Sequence, residues 1–279
     1  MFPPRNVAEL ADAVLAGAYG PAPGGILATS AFWLHHGTRL AGGQATHLTH
    51  CLLVRSGRSF GACSFEAGEL DYGICADACG RPLSELIRDY PLPVRIAALD
   101  AYLAEVRPHR EVAGAEPVTL PAGSPETRAA ARDSAVASLL DIEPAAKVAL
   151  IGVVNPLVAA IRDRGWFCLP CDLTVRRTQW GDLVAPVMDE VLDAADAVIA
   201  TGMTLGNGTF DVLVEHCRRR AVPLVMYAQT GSTVARVFLG TGVTALCAEP
   251  FPFSHYSTES TVLYRYRGSA GHPELRETE

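Results

Sequence analysis

Apolar and polar positions follow two different rhythms along the chain, and the change of rhythm predicts two structural units. Residues 6–18, 82–90 and 94–106 have apolar positions at helical spacing. Between the first two of these segments, "THLTHCLLV" and "FGACSF" are short β-rich runs on either side of the turn "RSGRS", a pattern typical of a hairpin. Residues 1–115 are therefore predicted to form a small α+β domain.

The second rhythm begins at Ser124, where a capping serine followed by Pro125 indicates the first turn of a helix. Short apolar runs then alternate with helical segments as far as "VTALCA". This alternation is typical of a parallel sheet with right-handed crossovers, so residues 124–267 are predicted to form a Rossmann-like α/β domain. The Pro-, Gly- and Ala-rich segment 113–125 is the predicted linker, and the polar tail 268–279 is expected to fray.

Charge and hydropathy exclude several classes of partner. The net charge is −7 and the longest basic run is the "RRR" at 218–220, so the electrostatic footprint of a nucleic-acid-binding or membrane-surface protein is missing. No stretch approaches about 18 uncharged apolar residues, and the N-terminus lacks the apolar centre of a secretory signal. We expect a cytoplasmic protein with reduced cysteines, and neither nucleic acid nor membrane as a partner.

The pattern of cofactor motifs predicts no cofactor, although binding of S-adenosylmethionine or another nucleotide in the Rossmann-like unit stays open. Lys147 is the single lysine, and it begins a predicted strand, away from the loops where a Schiff base or a phosphate-binding lysine would act. The first strand of the second unit is followed by "GVVNP" and not by GxGxxG. Asp172 nevertheless lies about 20 residues further on, where a ribose-binding acid could stand.

His47, His50 and Cys51 are close enough in sequence to raise the question of a metal site. In a strand, His47 and Cys51 share a face but lie about 13 Å apart, while His50 is on the opposite face. Zinc needs its ligands at about 2.0 to 2.3 Å, so these residues cannot share an ion. "CLPC" and "CADAC" each lack a second cysteine pair, so ordinary packing is favoured for them. No metal ligand is predicted, although a site assembled from distant segments stays open.

Three loops after predicted strands carry the functional signal: residues 152–156, 201–209 and 228–233. In an open α/β sheet, ligands bind at the carboxyl ends of the strands, where glycine admits a close approach and helix N-termini offer free N–H groups. The alternative is that these residues only make turns and caps. Two donor-rich loops on neighbouring strands favour binding of a carboxylate, sulfate or phosphate. The predicted binding residues are Asn155, Gly202, Thr204, Asn207, Gly208, Thr209, Gln229, Thr230, Gly231 and Ser232.

At these residues the chain resembles a family labelled for heavy-metal chelation and formerly of unknown function. The resemblance is carried by "DAADAVIATGMTLGNGTFDVLVEHC" and "PLVMYAQTGSTVARVFLGTGVTAL", and in the first unit by "FGACSFEAGELDYG", "GRPLSELI" and "VRIAALDAYLAE". It covers roughly residues 30–265, although this chain has "AQTGST" where the family is expected to have a Gly-Pro-Ser type of turn. The resemblance implies an enolase-N-terminal-like domain before a Rossmann-like domain, with the active site in the cleft between them.

We expect a non-redox enzyme of specialised, natural-product metabolism that acts on an anionic, amino-acid-derived small molecule. Holding a departing sulfate or phosphate in the loops would favour elimination or intramolecular displacement. Glu66, Asp71 and His255 are the candidate catalytic bases, and for each the alternative is a surface residue or a satisfied hydrogen-bonding group. Handling of a metal or metal chelate, as the family label indicates, and small-molecule sensing stay open, as do homo-oligomerisation and completion of the site by a second polypeptide.

Overall fold

A computed structural model describes residues 3–39 and 46–268, and within them the first unit contains a three-stranded antiparallel sheet. Its strands are β1 (Ser30–Thr38), β2 (His47–Ser56) and β3 (Ser59–Phe65), in spatial order β1-β2-β3. The hairpin of β2 and β3 confirms the sequence prediction, whereas β1 is an additional strand. The helices of this unit are α1 (Val7–Leu15), α2 (Ile74–Ala78), α3 (Leu83–Asp89) and α4 (Leu92–Val106).

The second unit is built on a seven-stranded, mostly parallel sheet with the order β4-β10-β9-β8-β7-β5-β6. Its strands are β4 (Glu116–Leu120), β5 (Lys147–Ile151), β6 (Phe167–Cys171), β7 (Ala197–Thr201), β8 (Leu224–Ala228), β9 (Ala245–Ala248) and β10 (Thr261–Arg267). The five strands from β9 to β6 are parallel, and β10 is antiparallel to both of its neighbours. The chain runs from β5 outward to β6 and then returns to β7, so the topological switch point lies between β5 and β7.

Helices connect the parallel strands, as the alternating pattern predicts. They are α5 (Pro125–Ala137), α6 (Asn155–Arg162), α7 (Asp189–Leu192), α8 (Met203–Gly206), α9 (Phe210–Arg220) and α10 (Ser232–Val237). The Ser124 side chain accepts a hydrogen bond from the Thr127 N–H, which confirms the predicted start of α5. No helix within residues 3–39 and 46–268 is long and apolar enough to cross a membrane.

The prediction of a linker at 113–125 is wrong for the five residues of β4. This strand pairs with β10 and lies at the edge of the large sheet, where Pro117 is tolerated because an edge strand can do without one ladder donor. The boundaries of the two domains stay a prediction. Apart from Gly268, the predicted tail lies outside the described residues.

The small sheet and α4 lie against the carboxyl edge of the large sheet, and one hydrophobic core runs through both units. At Gly61 of β3, an added Cβ would stand 1.9 Å from the Ala101 nitrogen of α4, so only glycine allows this contact. At Gly206 of α8, an added Cβ would stand 2.0 Å from the Ser64 carbonyl oxygen. The end of β3 therefore lies across the turn that follows β7.

Candidate functional site

The switch point contains a buried hydroxyl that has no hydrogen-bond partner among the described residues. Thr201, at the end of β7, is 6% exposed, and its Oγ1 has no hydrogen-bond partner within residues 3–39 and 46–268. Gly152, directly after β5, has φ +88°, and an added Cβ there would stand 2.3 Å from this oxygen. The hydroxyl thus occupies the place that a side chain at 152 would need, and it lies directly against the backbone of the turn after β5. An unpaired buried polar atom costs about 1 to 3 kcal/mol, so a ligand that pairs with it would be stabilised.

The N-terminus of α6 lies beside this hydroxyl. The Asn155 Oδ1 accepts from the Gln179 N–H at 3.1 Å. Asp172, which follows β6, accepts from the Val153 N–H at 2.8 Å and from the Val175 N–H at 2.9 Å. Asp172 therefore holds the turns after β5 and β6 together, and both of its oxygens already accept from the protein backbone. Residues 152–155, Asp172 and Thr201 together are called the switch-point crevice below.

Glu66 faces the crevice from the small sheet, directly after β3. Burial raises the pKa of its carboxyl, the nearby Glu69 and Asp172 carboxylates raise it further, and His50 opposes the rise. The Glu66 N–H also donates to the Glu69 Oε2 at 2.8 Å. A raised pKa brings a carboxyl nearer to neutral pH, which suits a general base. Of the three predicted bases, Glu66 is the one whose surroundings fit that role.

We expect Glu69→Gln to lower the pKa of Glu66 because it removes a like charge from its neighbourhood. The measurement is a 13C NMR titration of the glutamate carboxyl groups, with Glu66→Gln identifying the signal. Glu111, exposed and paired with Arg110, provides the control Glu111→Gln, which should leave the Glu66 titration unchanged. Equal Glu66 pKa values in the wild type and in Glu69→Gln would contradict this account of the acidic cluster.

His255 and Gln229 meet at the other end of the covered edge, after β9 and β8. Gln229 Nε2 lies 3.3 Å from His255 Nδ1, and the ring of His36 from β1 stacks on His255 with 4.9 Å between centroids. Burial lowers the pKa of His255 to about 3, with smaller contributions from His36 and Arg132. A neutral imidazole with so low a pKa is a weak base at neutral pH, so its surroundings disfavour the predicted role of base.

Several predicted binding residues lie buried between the two units. Thr230 Oγ1 is 3.2 Å from Ser64 Oγ, and the Gly231 N–H donates to the Ala62 carbonyl at 2.8 Å. Ser232 Oγ is 3.1 Å from a ring nitrogen of the buried His109. Gly202 and Thr204 are buried as well. The two predicted loops are adjacent, as expected, but these groups contact other parts of the protein and do not line an open cleft.

The first turn of α10 already binds an anion, the carboxylate of Asp100 from α4. Asp100 Oδ1 accepts from the N–H of Thr233 at 2.8 Å and from its hydroxyl at 2.6 Å, and Oδ2 accepts from the Ala62 N–H at 2.9 Å. Asp100 is 3% exposed; burial raises its pKa and these hydrogen bonds oppose the rise. The donors of this loop are thus engaged by the protein's own carboxylate.

The remaining predicted residues have local roles in turns. Asn207 Oδ1 accepts from the N–H and the hydroxyl of Thr209 at 3.1 and 2.7 Å, in the turn that precedes α9. Gly208 supplies the positive φ of that turn, +75°. Asp71, an exposed residue, accepts from the Gly73 N–H at 2.8 Å. Binding or catalysis by these residues stays a prediction.

The described residues do not form a site for a resident metal ion. Within residues 3–39 and 46–268, no three His, Cys, Asp or Glu side chains come together as a ligand set. The rings of His35 and His50 stack nearly parallel at 4.3 Å, so their in-plane lone pairs do not converge, and His50 Nδ1 accepts from Trp33 Nε1 at 3.2 Å. Burial raises the pKa of Cys168 to about 12 and that of Cys171 to about 11, which disfavours the thiolates that bind metal.

Fold and site together define a Rossmann-like α/β unit whose carboxyl edge is covered by a smaller α+β unit. The model of the family DUF364, described as "Putative heavy-metal chelation", matches residues 134–248 of this chain, which confirms the resemblance seen in the sequence. No curated protein matches the chain.

Two crystal structures of DUF364 family proteins with unknown function are similar to most of the chain. The protein from Desulfitobacterium hafniense is 17% identical with a TM-score of 0.60, and the match covers 92% of this chain and 96% of that one. The protein from Pyrococcus horikoshii is 16% identical with a TM-score of 0.53, covering 86% of this chain and 95% of that one. At these identities the likeness shows the fold alone.

Proposed function

We propose that this chain is a non-redox enzyme that binds an anionic, amino-acid-derived small molecule between the small sheet and the carboxyl edge of the large sheet. The anionic group binds in the switch-point crevice, at the N-terminus of α6 and the hydroxyl of Thr201. The observation that carries the proposal is the buried Thr201 Oγ1, which lacks a partner within the described residues and lies over Gly152. A helix N-terminus adds a partial positive charge at the same place.

The charges around the crevice fit a molecule that carries an amine as well as an anionic group. Glu66, Glu69 and Asp172 are close enough for their charges to interact, and they favour an ammonium group on their side. In its ionised form, Glu66 removes a proton from the substrate, and the freed electron pair forms a double bond or closes a ring. The leaving group departs with its bonding electrons into the crevice, where N–H and O–H donors stabilise it. Elimination and cyclisation both balance without an oxidant.

Thr201→Val tests the crevice, because valine has nearly the same shape as threonine but no hydroxyl. Without ligand we expect the variant to be more stable by about 1 kcal/mol, since an unpaired buried polar group is removed. We expect inorganic sulfate, used as a probe of the anion site, to stabilise the wild type clearly more than the variant. Ligand at 100 times its Kd adds about 2.7 kcal/mol to the free energy of unfolding, which thermal or urea unfolding measures easily.

Ser56→Ala is the matched control for this experiment. Ser56 Oγ is also buried and has no partner within the described residues, but it lies at the other end of β2, beside the turn to β3. Its removal should leave the sulfate response of the wild type intact. Equal stabilisation of the wild type and of Thr201→Val by sulfate would sink the proposal.

The second candidate function is the handling of a metal chelate, which the family description favours. Since the described side chains form no three-ligand set, the metal would come with its own chelator, whose carboxylates bind the same crevice. Elemental analysis of protein purified without added metal separates the two candidates. A stoichiometric metal that Thr201→Val releases together with its chelator would favour this second function.

A further inference from the structure

Three side chains at the β9 end of the covered edge form a hydrogen-bonded series that is separate from Glu66 and Thr201. Glu249, 1% exposed, accepts from Gln229 Nε2 at 2.9 Å, from the Ser254 N–H and, at 3.5 Å, from the Tyr227 hydroxyl. All three partners donate to the carboxyl oxygens of Glu249, which act as the acceptors. The nitrogen of the Gln229 amide, and not its oxygen, therefore faces Glu249.

This orientation of Gln229 determines which nitrogen of His255 carries the proton. The amide nitrogen has two hydrogens, and the second is directed to His255 Nδ1 at 3.3 Å. Nδ1 must then accept, so the proton of the neutral ring is on Nε2. Nε2 makes no hydrogen bond within residues 3–39 and 46–268, and the ring is partly exposed. The low pKa of His255, about 3, keeps the ring neutral near pH 7.

We infer that His255 is a fixed N–H donor, and not a base, for a carbonyl or carboxylate oxygen of the bound small molecule. Gln229 and Glu249 act as positioning residues that select the Nε2–H tautomer. The identity of the ligand rests on the proposed function, whereas the tautomer is a property of the free protein.

The position of this donor also sets a minimum length for the ligand. Thr201 ends β7, and His255 follows β9, with β8 between these strands. Neighbouring strands are about 4.8 Å apart, so the two donors are separated by about 10 Å or more. One molecule that reaches both carries two oxygen-bearing groups at that separation. An amino acid extended by a side chain or an acyl group fits this description.

The first test is 15N NMR of the histidine rings in the full-length protein, which has eight histidines, with His255→Phe identifying the signal. We expect the neutral Nε2–H tautomer of His255 to persist from pH 8 to pH 5. Gln229→Leu should reduce the preference for this tautomer about fivefold to tenfold, the size of one net hydrogen bond. Gln179→Leu, at an exposed glutamine, should leave it unchanged. If Gln229→Leu does not fold, the tautomer of His255 in the wild type is the deciding measurement. An Nδ1–H tautomer or a protonated His255 ring in the wild type overturns the inference.

The second test adds acetate or acetamide to the wild type as probes for the two kinds of oxygen acceptor. A shift of the His255 Nε2–H signal with acetate assigns a carboxylate, and a shift with acetamide assigns a carbonyl. No shift with either probe overturns the donor role. A failed sulfate response at Thr201 contradicts the proposed function without changing the His255 tautomer, so the two outcomes are distinguishable.

Discussion

Asp100→Ala is expected to destabilise the folded chain by about 3 to 5 kcal/mol, because three buried donors lose their acceptor and each costs about 1 to 3 kcal/mol. The substitution leaves the Ala62 N–H, the Thr233 N–H and the Thr233 hydroxyl without their acceptor. These groups lie between the two units, where water does not replace the lost hydrogen bonds. Each unpaired buried group lowers the free energy of unfolding by about 1 to 3 kcal/mol, and local rearrangement recovers part of this loss.

Urea unfolding of the full chain measures this effect, with Asp141→Ala as the control. Asp141 is an exposed acid, so its removal should change the free energy of unfolding by no more than about 0.5 kcal/mol. Asp100→Asn should give an intermediate loss, because it keeps one acceptor oxygen but turns an NH2 group towards another donor. Similar stabilities of Asp100→Ala and Asp141→Ala would show that the carboxylate does not join the two units.

Gly152→Ala is expected to abolish the sulfate response and to cost about 2 to 4 kcal/mol of stability. The positive φ of +88° alone costs about 1 to 2 kcal/mol for a residue with a side chain. The new methyl group would also stand 2.3 Å from Thr201 Oγ1, so it would displace the hydroxyl that is proposed to bind the anion. Urea or thermal unfolding with and without sulfate measures both the loss of stability and the loss of the sulfate response.

Gly165→Ala separates the strain of the positive φ from the clash with Thr201. Gly165 has a similar φ of +75°, but an added Cβ would meet no atom of the described residues within 4 Å, so this variant has the strain without the clash. It should retain the sulfate response. Adding Thr201→Ala to Gly152→Ala should recover the part of the stability that the clash removes, as a double-mutant cycle reports. Undiminished sulfate binding by Gly152→Ala would place the anion elsewhere.

The alternation of apolar and helical segments in the second unit is sufficient to predict its parallel strands, because buried parallel strands are short apolar runs. The sequence pattern does not predict β1, and the reason is physical. Phe32 and Leu34 pack on one side of the small sheet, towards Phe60, while Trp33 packs on the other side, next to Phe65. A strand with contacts on both faces loses the alternation of apolar and polar positions that indicates a strand. β4 was missed because Pro117 and its short length are typical of a loop.

The sequence leaves the contacts of the predicted site residues open for a related reason. The donors of residues 230–233 were recognised, but their acceptor comes from Asp100, 133 residues away in sequence. The sequence does carry a signal for it, since Asp100 is the single acid within the apolar run "IAALDAYLA", and buried acids are rare unless they are paired. Sequence alone does not show which helix covers which loop. Thr201 likewise looks like the ordinary end of an apolar strand until Gly152 is seen beside it.

The contact between Asp100 and Thr233 matters for anyone who recombines this chain with a relative. Each unit supplies half of a hydrogen-bonded seam, and glycines at 61 and 206 let the two backbones touch there. A chimaera can take its first half from one parent and its second half from another. Its two units pack correctly only when the acid at 100, the hydroxyl at 233 and the glycines at 61 and 206 are all present. Shuffling at the boundary between the halves is therefore constrained by chemistry deep inside the molecule, far from the crossover point in the gene.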